Sequence, residues 1–216
     1  MTHKVALTWA VLLLLPATGP QAFAYPTSLL IMPTADVLED GWLRLEAESD
    51  GDPTPFSGST EQLLCTQFGL TRRLEAGLDL VGLGAEPRCE LNAKWQVVPE
   101  SGGCPAAAVG LLGMTRSSAV SEWYAVLSKS AGSLRLHGGL LADDAAHGMV
   151  GVEHWPRERT GLMAEWITGP HGYLSAGADQ DLGGGFGVLL YYGHSNTRGD
   201  GDLVGLNLSW EGAVGG

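Results

Sequence analysis

The chain has 216 residues, a formal charge of −12, seven Trp, 32 Gly and three Cys. That length is one domain's worth; the acidic balance and the lack of any basic cluster argue against nucleic acid as a partner, because phosphates must be met by Lys and Arg. Glycine at this frequency favours strands over helices, in whose interiors it is costly.

Residues 1–24 read as a signal peptide: His3 and Lys4, an apolar run from Val5 to Leu15, a break at Pro16 and an Ala22-Phe23-Ala24 cleavage signal. The run is too short to cross a bilayer as a helix, and removal of Lys4, the segment's only charge, takes the mature chain from −12 to −13. Residues 25–40, YPTSLLIMPTADVLED, form an extended leading segment, tucked into the domain that follows or lying along its rim. From Gly41 the pattern becomes periodic. Leu43, Leu45 and Ala47 alternate with Arg44, Glu46 and Glu48, and Leu74, Ala76, Leu78 and Leu80 alternate with Glu75, Gly77 and Asp79. Such a period of two marks a strand with one greasy and one wet face. The same reading gives strands over 41–50, 60–70, 74–84, 90–98, 106–115, 122–130, 133–142, 148–155, 160–168, 172–180, 185–194 and 202–211, separated by polar or glycine-rich turns. Cys65, Cys89 and Cys104 lack C-x-x-C metal spacing and cannot all pair internally; they read as unpaired thiols in walls or turns.

The expected fold is all-β: a closed, antiparallel, up-and-down transmembrane β-barrel of about 12 strands spanning 41–216. Segments of about nine to eleven residues suit tilted strands crossing hydrocarbon, whereas strands of soluble sheets are commonly about five or six. The connections after even strands are short (Arg72-Arg73, Ala131-Gly132, Gly183-Gly184) and those after odd strands include the longest, as periplasmic turns and outer loops would be. With the apolar register toward lipid, the lumen receives Arg44, Glu46, Glu75, Asp79, Asn92, Lys94, Arg135, His137, Glu153 and Glu165. Acids outnumber bases there, and paired charges in so narrow a barrel predict a plugged or very narrow lumen ahead of a channel with mild cation preference. Trp42, Trp95, Trp123, Trp155, Trp166, Tyr191, Tyr192 and Trp210 fall toward strand ends, as interface girdles do, or are ordinary sheet aromatics. The competing architecture is a soluble periplasmic β-sandwich or lipocalin-like binder.

Candidate chemistry is sparse. Tyr192 to Asn196, YGHSN, resembles the His-x-Ser-Asn segment of outer-membrane lipid A deacylases, which implies His194 as base and Ser195 as nucleophile, with Asp200, Asp202 or Glu211 as the orienting acid. His194 and Ser195 are adjacent, however, so a regular strand points them to opposite faces, and the family has one residue between them. The main expectation is therefore no enzymatic activity. The other histidines form no H-x-x-x-H or H-x-H pair, Asp200-Gly201-Asp202 lacks the spaced acids of a calcium loop, and neither a metal nor a cofactor is expected.

Leu29 to Leu43, with Met32-Pro33-Thr34-Ala35-Asp36 and Asp40-Gly41, resembles the opening of YjbH-type outer-membrane β-barrel proteins, where an "iPtAdvlpdG" segment precedes the first strand. The resemblance implies an outer-membrane location linked to envelope or exopolysaccharide traffic and supplies no catalytic residues. The function expected is a narrow channel or an envelope scaffold. Its partners are outer-membrane lipid, the barrel-assembly machinery and either small solutes or envelope polysaccharide. One departure stands out: such barrels usually finish on an aromatic, whereas Trp210 is followed by Glu211 to Gly216.

Overall fold

The computed structural model describes residues 27–51, 60–83, 87–114 and 122–214; the expected signal peptide and the whole of the loop 52–59 lie outside them. Twelve strands run β1 (Trp42–Gly51), β2 (Thr60–Thr71), β3 (Leu74–Val81), β4 (Arg88–Val98), β5 (Ala106–Leu112), β6 (Glu122–Ala131), β7 (Leu134–Ala142), β8 (Ala146–Arg157), β9 (Thr160–Ile167), β10 (Tyr173–Gly183), β11 (Phe186–Ser195) and β12 (Leu203–Ala213). Each pairs antiparallel with its neighbours in sequence, and β1 closes on β12 from Trp42↔Ala213 to Gly51↔Val204. Closure leaves no edge, so every strand's backbone groups are met by a neighbour, as a bilayer demands.

Period two decides which side faces out. Leu64, Leu78, Leu91, Leu136, Leu140, Leu162, Leu190 and Leu208 are all exposed on the outer surface, while their strand neighbours Cys65, Asp79, Glu90, His137, Leu141, Met163, Tyr191 and Asn207 are buried on the inside. A sandwich or a lipocalin-like binder would gather the leucines inward. This wall instead turns a continuous apolar face outward, the surface of a barrel in lipid. Trp155, Phe186 and Trp210 lie outside near the tight-turn end, and Trp123, Trp166 and Tyr192 near the loop end, two bands at the heights where interface aromatics sit. Tyr191 differs from that expectation. Strand parity turns it inward, where it is 2% exposed.

Some boundaries shift. β3 stops at Val81 instead of Gly84 and β5 at Leu112 instead of Thr115, because Gly82 (φ 73°) and Gly113 (φ 60°) take left-handed conformations that end the strand. β8 runs past Pro156, since the register slips between His154 and Arg157 and the bulge leaves proline's missing donor without a ladder partner to fail. Cys65 is buried in the wall, Cys89 and Cys104 are exposed, and among the described residues none of the three is in a disulfide.

Candidate functional site

The lumen is filled by residues 27–40. The chain rises from the tight-turn end and reverses through Leu29 to Met32, where the Leu29 N–H donates to the Met32 carbonyl at 2.9 Å and Ser28 bridges Pro33. It then descends until the Gly41 N–H donates to the Gly69 carbonyl at 2.8 Å and β1 begins. The prolines and the absence of alternation keep this stretch out of the sheet, and its apolar tip finds an apolar patch on the inner wall. Met32 is fully buried with Tyr124, Val126, Leu141, Met149 and Ile167, while Leu29 and Leu30 pack with Met163, Tyr191 and Leu203.

A hairpin buried this way has unpaired backbone groups, and charged wall residues meet them. At the tip, the N–H groups of Leu30, Ile31 and Met32 converge on the Glu165 carboxylate at 2.9 to 3.1 Å. Lower down, Glu75 accepts from the Thr27 N–H at 2.9 Å and the Leu38 N–H at 2.7 Å. Its counter-ion Lys94, 3.1 Å away and like Glu75 without solvent exposure, donates to the carbonyls of Thr27 and Asp36. Gln96 donates to the Ala35 carbonyl at 2.8 Å, and Ser128 accepts the Ala35 N–H at 2.9 Å while its oxygen lies 2.8 Å from His137 Nδ1. His137 Nε2 is in turn 3.4 Å from Glu153. At the tight-turn end Arg135 grips Asp36 with Nε at 3.0 Å and Nη2 at 2.6 Å, a bidentate fork, and reaches Glu100 at 2.6 Å. There Glu100, in the β4–β5 turn, is held down to about 2 by the Arg135 guanidinium, the Ser130 N–H and Lys129.

The inner wall makes room for the hairpin by omitting side chains. A Cβ at Gly151 would stand 2.7 Å from Leu29 Cδ2 and 3.1 Å from Met32 Sδ, one at Gly177 would stand 2.8 Å from Leu30 Cδ2, and one at Gly69 would strike the Glu39 carbonyl at 1.9 Å. Parity alone puts these glycines on the inner register.

Of the residues placed in the lumen from sequence, Glu75, Lys94, Arg135 and Glu165 bind the hairpin directly, and His137 and Glu153 stand behind Ser128 and Arg135. Arg44, Glu46, Asp79 and Asn92 lie on the same inner register away from these contacts: Arg44 Nη2 is 2.6 Å from Glu46, and Asn92 donates to Asp79. Sequence reasoning missed Ser128, the inward glycines and the apolar inner patch.

His194 and Ser195 part company. Ser195 is buried on the inner register, whereas His194 points outward with Nδ1 2.8 Å from Asp202. Asp202 is held below the ordinary carboxylate range by the Tyr192 hydroxyl, the Ser195 N–H and His194. An orienting acid is thus in place for the histidine, but the serine a hydrolase would activate is across the wall.

No protein-family model matches the chain, and no curated protein does. Solved structures do. A KdgM porin aligns at 8% identity over 77% of this chain and 98% of its own, with a TM-score of 0.54. A KdgM porin in complex with disordered oligogalacturonate aligns at 8% identity over 81% and 99%, with a TM-score of 0.55. The fold is that of porin-like outer-membrane barrels. At such identity the likeness extends to the wall, its strand count and its closure.

Proposed function

We propose that this protein is an outer-membrane barrel that serves as an envelope scaffold, its lumen closed by its own N-terminal segment, and that it conducts only when that segment leaves. The observation that carries this reading is the convergence of three tip N–H groups on buried Glu165 with Met32 seated at 0% exposure. A segment resting loosely in a pore would leave its amides to water. These are fixed to charges that the wall supplies at two heights, Glu165 and Glu75. The stretch similar to YjbH-type proteins falls on this plug, so what the two would share is the closing device. Export through a signal peptide cleaved after Ala24 fits a plug that starts at the periplasmic end. The acidic sugar bound by the KdgM porin is a poor cargo here, because carboxylates would meet a wall carrying Glu46, Asp50 and Asp79. No catalysis is assigned.

Planar-bilayer recording tests this directly. The refolded full chain should give no stable conductance steps, and a variant lacking residues 27–40 should give them. Steady conductance from the full chain would refute a closed lumen.

A further inference from the structure

Among the described residues, every hydrogen-bond donor to Glu165 belongs to the plug: its buried carboxylate accepts from the N–H groups of Leu30, Ile31 and Met32. The lumen's ion pairs are made elsewhere, by Glu75 with Lys94 and by Asp36, Glu100 and Glu153 with Arg135. An ionised carboxylate only accepts, so three N–H groups suit it. A protonated one must also give away its O–H, and a backbone N–H cannot take it.

The wall holds an acceptor ready beside this carboxylate. Ser175 stands directly across the β9–β10 ladder from Glu165, and paired residues share a face, so both look into the lumen. Ser175 is 1% exposed, and its Oγ has no hydrogen-bond partner among the described residues. A buried hydroxyl left unpaired is costly. Cross-strand Cβ atoms lie about 4.5–5.5 Å apart, so rotation of the Glu165 side chain away from the tip brings its carboxyl to Ser175. Its other surroundings offer no such partner. On β8 it faces Gly151, with Glu153 lower down beside Arg135 and His137, and His147 beside Asp143 at the loop end. On β9 its inward neighbours are Met163 and Ile167, and β10 adds Tyr173 and Asp179 on either side of Ser175. Tyr191 of β11 spends its hydroxyl on Glu48 and Asp50, Tyr124 of β6 packs with Met32, and the tip itself bears no charge.

We propose that Glu165 is a proton-operated latch. Ionised, it holds the three tip amides; protonated, it turns to donate its O–H to Ser175 and lets them go. This rests on the closed-lumen reading and supplies its regulation. The held state needs the ionised form, so the latch is complete at high pH and is lost as pH falls. One proton sets the slope, about tenfold in the held-to-released ratio for each pH unit.

Hydrogen exchange of the folded full chain between about pH 8 and about pH 4, expressed as protection relative to unstructured amides at the same pH, tests this. Protection of Leu30 to Met32 should fall with that one-proton slope while β1 to β12 keep theirs. Glu165→Gln, which cannot ionise, should leave the tip weakly protected and flat with pH. Ser175→Ala touches none of the latch bonds and removes only the acceptor for the protonated form, so loosening should begin at lower pH. A flat native profile, a pH slope that persists in Glu165→Gln, or an unmoved profile in Ser175→Ala overturns the latch. Neutral-pH bilayer recording separates this from the parent reading: a silent full chain with a flat profile refutes the latch and leaves the plug standing, whereas steady conductance refutes both.

Discussion

The tip latch can be broken without touching the plug itself. Glu165→Ala removes the acceptor for contacts of 3.0, 2.9, 3.1 and 3.1 Å from Leu30, Ile31 and Met32. Hydrogen bonds to a charged group are worth about 1.5–3 kcal/mol each; since contacts sharing one carboxylate are not additive, a loss of about 3–6 kcal/mol follows. Against it stand Leu29, Leu30 and Met32, 3%, 5% and 0% exposed, each anchored by about 1.5–3 kcal/mol of apolar burial. The anchors roughly match the latch, so the tip stays seated but opens far more often. At 1.4 kcal/mol per decade, amide exchange across Leu30 to Met32 should accelerate by about 10² to 10⁴, while β1 to β12 keep native protection. Hydrogen exchange read by mass spectrometry on the folded barrel measures this, and bilayer recordings should show brief openings absent from the native chain. Native protection at Leu30 to Met32 in a folded Glu165→Ala barrel would refute the latch.

Gly151→Val places methyl groups where Leu29 Cδ2 would be 2.7 Å from the new Cβ, so it should loosen the same tip by about 1–3 kcal/mol of overpacking; exchange faster at 29–32 but not at Leu38 is the expected pattern. Lys94→Met strands buried Glu75 and should destabilise the barrel by about 3–5 kcal/mol, with Glu75→Gln in the same chain recovering much of it, as read from urea unfolding in liposomes. Leu78→Arg puts a charge at the middle of an outward strand and should cost about 2–4 kcal/mol in a bilayer; a neutral result there would contradict a lipid-facing wall. Glu100 titrates at about 2 because Arg135 holds its ionised form. The stabilisation is complete above the ordinary glutamate range and is lost as pH falls through about 2. The turn-end latch should therefore survive at pH 3, and Glu100→Gln should flatten the acid limb of unfolding between about pH 4 and 2.

The wall was legible because lipid enforces parity. Positions facing the hydrocarbon are mostly apolar, so Leu74 to Leu80 or Leu91 to Val97 announces both a strand and its orientation, and one slipped residue would carry Glu75 or Lys94 into hydrocarbon. Strand ends were less legible, since Gly82 and Gly113 stop their strands through backbone conformation and leave the hydrophobic pattern unbroken. The plug left its position open. Leu29 to Met32 has no period of its own, and the residues that receive it lie far along the chain, Glu165 being 133 to 135 positions away. A usable signal was nonetheless present, because Gly69, Gly151 and Gly177 all fall on the inward parity of their strands. A glycine repeated at inward positions marks where something approaches the wall. The same parity, applied to Tyr191 against Tyr192 and to His194 against Ser195, assigns each pair to opposite faces.

Paired charges account for only part of the lumen. Ala106, Ala108, Leu112, Val126, Leu141, Met149 and Ile167 all point inward and form one apolar surface under Met32. An open pore would leave that surface wet, at about 25 cal/mol for each Å² exposed, whereas a barrel meant to stay open could carry polar side chains there at no such cost. Twelve strands enclose more room than the eight whose interiors side chains alone can fill, and the inward glycines widen it further. The wall is therefore shaped for an occupant that is apolar at its tip and bears unpaired amides, which describes residues 27–40. Release of the plug exposes its own leucines together with the patch, so conduction demands either a partner that covers both or a force that outweighs them.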